Sequence, residues 1–195
     1  MELTLTSFMA LVRETLTDPK AGARRIMTVD MPATARWQAL LLVVVLSVLF
    51  GQISLRLMVG DVEAAGMAGS PFLSGLAQGG LLLLMVYAVH HVGRAMGGTG
   101  SFGHALSLVT WLQAIMVVIQ AVQILLLVVL PPFAGILGVA GMVVFMWLLT
   151  NFVAVLHGFE SLGRVFVAII VTGFGLAFLA AMVMTILGIQ PTGMM

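Results

Sequence analysis

The chain has 195 residues, of which 62% are hydrophobic and 8% charged, with a net charge of +1. Soluble domains carry about 25% charged residues, and no soluble core of this length could hide so much apolar surface, so lipid is the solvent that fits. The near-neutral total points away from a nucleic-acid partner, and a chain with no cysteine has no disulfide, thiolate catalysis or cysteine-ligated metal centre.

Residues 1–36 form the first unit, a cytoplasmic segment with an amphipathic helix. Leu5, Phe8, Met9, Val12 and Leu16 fall on one helical face, with Arg13 and Glu14 toward another. Asp18-Pro19 reads as a stop, then as N-cap and first position of a second short helix carrying Arg24 and Arg25. Two arrangements stay open for this segment: lying on anionic lipid at the membrane surface, or packing beneath the bundle. Pro32 then opens the first long helix.

A bilayer core of about 30 Å needs about 20 apolar residues of helix. Five runs qualify, at 37–59, 72–92, 105–130, 133–156 and 162–189. Backbone polar groups in lipid must be satisfied within the segment, so the runs are helices, not strands. The fold class is therefore all-α, a polytopic bundle of five transmembrane helices, with a short tail at 190–195. The basic residues ahead of Trp37 and the length of the first run suit an uncleaved anchor.

Basic residues give the orientation. Arg13, Lys20, Arg24, Arg25, Arg36, Arg94 and Arg164 flank one set of helix ends, and Arg56 alone lies near the other. The excess of Lys and Arg on the cytoplasmic side puts the N-terminus in the cytoplasm and the C-terminus outside. Arg56 is expected to snorkel toward the outer interface, near Asp61 or Glu63.

Two sets of side chains are candidates for chemistry. The first is a layer at one membrane face: His90 and His91 at the end of the second span, His104 at the start of the third, and His157 and Glu160 at the end of the fourth. Histidines from different helices can hold a metal or haem, but the helix dipole also favours histidine at C-termini. No metal ligand or cofactor is assigned on this basis. The second set is a stripe on the third span. Gln113, Gln120 and Gln123 fall within about 80° of one another, and Thr110 extends the arc. Such a stripe either lines a solute pathway or bonds neighbouring helices, with Asn151 as one partner. Bonding is the favoured reading, since no acid or base accompanies the glutamines. The small-residue pairs Gly75/Gly79, Gly93/Gly97 and Ala177/Ala181 and the series Gly135, Gly138, Gly141 suit close helix contacts and self-association. Fifteen methionines read as gap-filling apolar packing. The glycine-rich loop before the third span lacks the Gly-Lys-Ser/Thr of a phosphate-binding loop. The chain also has no His-Glu-x-x-His and no Gly-x-Ser-x-Gly, so no enzyme is expected.

The layout resembles the Yip1 family of five-span membrane proteins. The resemblance rests on Asp18-Pro19 before the first span and on Gly97-Gly98-Thr99-Gly100-Ser101-Phe102 with Ala105-Leu106 at the entry to the third. It also rests on Trp147, then His157-Gly158-Phe159-Glu160-Ser161 and Arg164. The chain departs from the family in having Trp111 near the place of a tyrosine, no proline between Ala105 and Leu130, and no long acidic extension. The resemblance implies the fold, the topology and a non-enzymatic role. The eukaryotic members' association with Rab GTPases in vesicle trafficking is not carried over to this compact, bacterial-type form, which is expected in the cytoplasmic (inner) membrane. The expected role is that of a scaffold or accessory protein binding membrane lipids, other membrane proteins or itself. A small-solute transporter or channel is the alternative, and a haem-binding redox subunit a weaker one.

Overall fold

The computed structural model describes residues 4–59 and 69–186, all of whose regular structure is helical. Two short helices, α1 (Leu5–Thr17) and α2 (Pro19–Thr28), precede five long ones: α3 (Ala33–Val59), α4 (Pro71–Ala95), α5 (Phe102–Val129), α6 (Pro131–His157) and α7 (Leu162–Ile186). The five are long and apolar enough to cross a membrane. Asp61 and Glu63, expected near Arg56, lie outside the described residues, as does the tail at 190–195.

At the end rich in Arg and Lys, α3, α4, α5 and α6 reach beyond the apolar runs, because their polar caps and terminal turns belong to the helix too. The third span begins at Phe102, three residues before its apolar run, since Ser101 Oγ accepts the His104 N–H at 3.2 Å. Pro131 ends α5 and occupies the first position of α6, where its missing N–H is not needed. Asp18 both closes α1 and caps α2, accepting the Ala21 N–H at 2.9 Å.

Seven of the eight Lys and Arg residues lie on α1 and α2, where α3 and α7 begin, or where α4 ends; this end, where α5 also begins, is the charged end. The core sits in the charged half of the bundle. Ala105 to Leu112 on α5 and Leu148 to Ala154 on α6 are continuously buried. α5 is the hub and touches α2, α3, α4 and α6, whereas α7 packs chiefly on α6. Toward the other end α5 opens to the surroundings, with Leu125, Val128 and Val129 exposed. On α4, Gly75 and Gly79 lie where a Cβ would sit 3.8 and 3.9 Å from Val48 and Val44 of α3. Small residues let these two backbones approach where no hydrophobic drive acts between helices in lipid.

The N-terminal helices form a hairpin packed into the bundle, the second of the two arrangements left open by the sequence. Val12, Thr15, Ala23 and Ile26 are buried. The buried face is rotated from the one the apolar residues suggest, because Leu5 and Met9 are exposed while Thr15 is completely enclosed. Thr15 can be enclosed because its hydroxyl is satisfied twice: it donates to the Leu11 carbonyl at 2.8 Å and accepts the Trp111 Nε1–H at 3.1 Å. Phe8 meets the Trp111 ring edge-on at 5.5 Å. Gly22 makes the hairpin close, since any Cβ there would overlap Thr15. Arg25 and Glu14 pair across its exposed side, a contact worth little in water.

The Thr15–Trp111 bond is expected to hold the hairpin on α5. Thr15→Val leaves a buried indole N–H unsatisfied and should destabilise by about 1–2 kcal/mol. Adding Trp111→Phe removes that orphaned donor, so the double variant should cost less than the sum of the singles. Unfolding by SDS in mixed micelles measures both; strictly additive losses would deny the bond an energetic role.

Candidate functional site

The histidines of the charged end do different jobs. His157, the last residue of α6, is 3% exposed. Its Nδ1 accepts the Gly100 backbone N–H at 3.2 Å, and its Nε2 lies 3.0 Å from the Val89 carbonyl. A carbonyl only accepts, so Nε2 carries the proton and donates, and the ring is the neutral Nε2–H tautomer. One side chain thereby ties the end of α6 to α4 and to the α4–α5 loop.

Glycines of that loop and of the last turn of α4 leave room for this contact. A Cβ on Gly93 or Gly98 would overlap the His157 side chain, and one on Gly100 would come within 2.6 Å of Leu156 Cγ. Gly93, Gly98 and Gly100 therefore form a socket, and the Gly-Gly-Thr-Gly-Ser run is its wall. Phe159 stacks on the ring, with 5.6 Å between centres. Gly158, at φ +73°, turns the chain there in a conformation that suits glycine. Both ring nitrogens of His157 are occupied, so the ring has no free lone pair for a metal and no proton to exchange without breaking the socket.

His90 and His91 lie at a different place, the seam of α3, α4 and α5. Phe102 is its centre, touching Trp37 (6.4 Å between ring centres), Tyr87 (5.3 Å) and His90 (5.8 Å). His91 stacks on Tyr87, and the His90 and His91 rings meet edge to face. The Arg36 guanidinium lies across Gly103, where a Cβ would strike it. Arg36 Nε and His90 Nδ1 are buried without a hydrogen-bond partner among the described residues. His104 is half-buried at the first turn of α5, and Glu160 is exposed just past α6. The described residues contain no group of three His, Asp or Glu side chains placed to hold a metal, so the layer read from sequence divides into a socket, an aromatic seam and two separate residues.

The polar stripe of α5 faces its neighbours. Gln113 Nε2 donates to Ser47 Oγ of α3 at 2.6 Å. Gln120 lies beside Gly51 of α3. Gln123 Nε2 donates to the Ala134 carbonyl of α6 at 3.1 Å. Thr110 is buried, and its hydroxyl has no partner among the described residues. Asn151 donates to the Trp147 carbonyl of its own helix at 2.8 Å, so it is Ser47 and Ala134, not Asn151, that receive glutamine hydrogen bonds. Ser47 escapes a sequence reading because a serine inside an apolar run is ordinary.

A broad open cleft was not visible in sequence. α4 and α7 stand apart over α6 and leave a cleft of about 630 Å³, within the 300–1,000 Å³ usual for ligand sites. Leu84, Ala88, Met142, Phe145, Ile169 and Phe174 are among its walls, and Thr172 is the polar side chain among its lining residues. The cleft runs on α4 from Leu81 to Met96, about 22 Å at 1.5 Å per residue. At the charged end it reaches Gly93 and Val165, whose chain neighbours Arg94 and Arg164 are both exposed.

A family model of the Yip1 domain matches residues 13–182. No curated protein and no solved structure matches the chain. The matched range takes in most of the α1–α2 hairpin, the glycine socket and the cleft.

The socket makes a sharp prediction. Gly98→Ala forces a methyl into His157 and should destabilise by about 1–3 kcal/mol or more. Gly80→Ala, where a Cβ meets nothing within 4 Å, should be neutral or slightly stabilising in the same helical bundle. Thermal unfolding in detergent compares them; equal melting temperatures would show that the loop glycines are not needed for packing.

Proposed function

The chain belongs to the Yip1 family, and on that premise we propose that it is a non-enzymatic accessory or scaffold protein of the membrane that receives another membrane component at its side. The observation that carries this reading is the apolar cleft between α4 and α7, floored by α6 and lined by side chains suited to a hydrocarbon partner. Its occupant is a lipid, a helix of another membrane protein or a helix of a second copy. Exposed Phe166, Phe174 and Phe178 on α7 give the same flank a broad apolar surface, and Ala177, on the same flank, supplies a small residue for close approach.

Other observations favour binding over the alternatives. Gln113 and Gln123 are bonded to α3 and α6, which uses the groups that would otherwise line a solute path. His157 is committed at both nitrogens, which takes the most enclosed histidine out of any haem or metal site.

The same proposal places the protein in the cytoplasmic (inner) membrane of a bacterium, with the charged end and the N-terminus in the cytoplasm. Seven of eight basic residues at one end support this orientation. A reporter fused after Met195 should respond as a non-cytoplasmic domain, and a cytoplasmic signal would reverse the topology. A photo-reactive side chain at Ala88, in the cleft wall, should crosslink to a membrane component in intact cells. One at Leu125, outside the cleft on α5, should give a different product pattern. Identical products from both positions would count against the cleft as a docking site.

A further inference from the structure

The cleft is apolar along its body, and at the charged end two exposed arginines adjoin its wall residues in the chain; that combination defines its occupant. Along the helices the lining is hydrocarbon, from Leu81 and Met142 to Val92 and Val165. At the charged end Arg94 follows Gly93 of the α4 wall and Arg164 precedes Val165 of the α7 wall, each outside the lining itself. Both arginines are exposed, and the ion pair present among the described residues is elsewhere, between Arg25 and Glu14. They stand where the spans end, at headgroup level, with their five-donor guanidinium groups free for phosphate oxygens. Glu160, exposed at the same end four residues before Arg164, is the one acid in this rim, and it opposes an anion. A helix of a partner protein would fill the apolar body but would not account for two exposed arginines beside it that have no ion-pair partner among the described residues.

Resting on the reading of the cleft as a docking site, we infer that its occupant is an anionic phospholipid of the leaflet at the charged end. One acyl chain lies between α4 and α7 over α6, and its phosphate is held by Arg94 and Arg164. The length of the cleft, about 22 Å at 1.5 Å per residue, exceeds the roughly 15 Å of one leaflet's hydrocarbon, so a whole chain fits along it. α7 is then secured to α4 through the lipid as well as to α6 through direct packing.

The test is native mass spectrometry of the full chain released from nanodiscs containing equal phosphatidylglycerol and phosphatidylcholine. The wild type should retain one lipid, with phosphatidylglycerol favoured about thirtyfold, as expected for two basic residues at the surface. Arg94→Gln with Arg164→Gln should bring the ratio close to one while leaving a lipid bound. Glu160→Gln should raise the preference. Gly173→Phe should expel both lipids, since Gly173 lines the cleft and a Cβ there meets nothing within 4 Å, so the ring enters the cleft without striking backbone. Equal retention of the two lipids by the wild type would overturn the anionic assignment and leave the cleft standing if Gly173→Phe still empties it. Undiminished lipid in Gly173→Phe would overturn the cleft itself. The arginine pair can be judged on the lipid ratio even if the Gly173 variant fails to fold.

Discussion

The bundle is organised around one imidazole with no freedom left. His157 accepts from the loop at Gly100 and donates to α4 at Val89, and three glycines must be bare for it to sit there. A helix end normally leaves its last carbonyls to water, and a buried polar side chain costs stability unless it is bonded. Here the buried histidine is bonded on both edges, and in being bonded it fixes where α4 stops, where α5 starts and where α6 ends. The core around it, Ala105 to Leu112 against Leu148 to Leu156, lies in that same half.

Away from that end the constraint weakens, and lipid takes the place of protein as neighbour. Hydrocarbon is as good a solvent for Leu and Val as another helix is, so nothing forces α4 and α7 together once α6 has separated them. What joins helices there is local: bare glycines of α4 against valines of α3, and glutamine amides on α5 reaching a serine and a carbonyl. The cleft itself lies beside the tight half, from Leu81 to Met96 on α4, and it is open there because α7 packs chiefly on α6 and leaves that flank of α4 uncovered.

The helices were legible because length and apolar content alone identify a span, and Asp18-Pro19 announced a cap that α2 does carry. The ends were less legible, since Ser101 and Pro131 extend helices beyond the apolar runs. Side-chain roles followed a similar division. The glutamine stripe could be drawn on a helical wheel, but Ser47 and Ala134 could not be named from one sequence, because partners 66 and 11 residues apart are set by packing. The four histidines looked alike as letters in a row of helix ends; burial separates His157 from the other three. Thr15 was invisible for the opposite reason. A threonine on an amphipathic helix reads as solvent-facing, and only the indole of Trp111 makes its burial possible.

That last contact also carries a consequence for biogenesis. Thr15 and Trp111 are 96 residues apart, and α2 rests on α6 as well as on α5. The ribosome delivers the N-terminal hairpin long before its seat exists. The nascent segment therefore has to wait outside the hydrocarbon, its apolar side covered by lipid or by a chaperone, while five spans are threaded behind it. Docking of the hairpin is consequently a late event in assembly, and a docked hairpin is a mark that α5 and α6 have already been inserted.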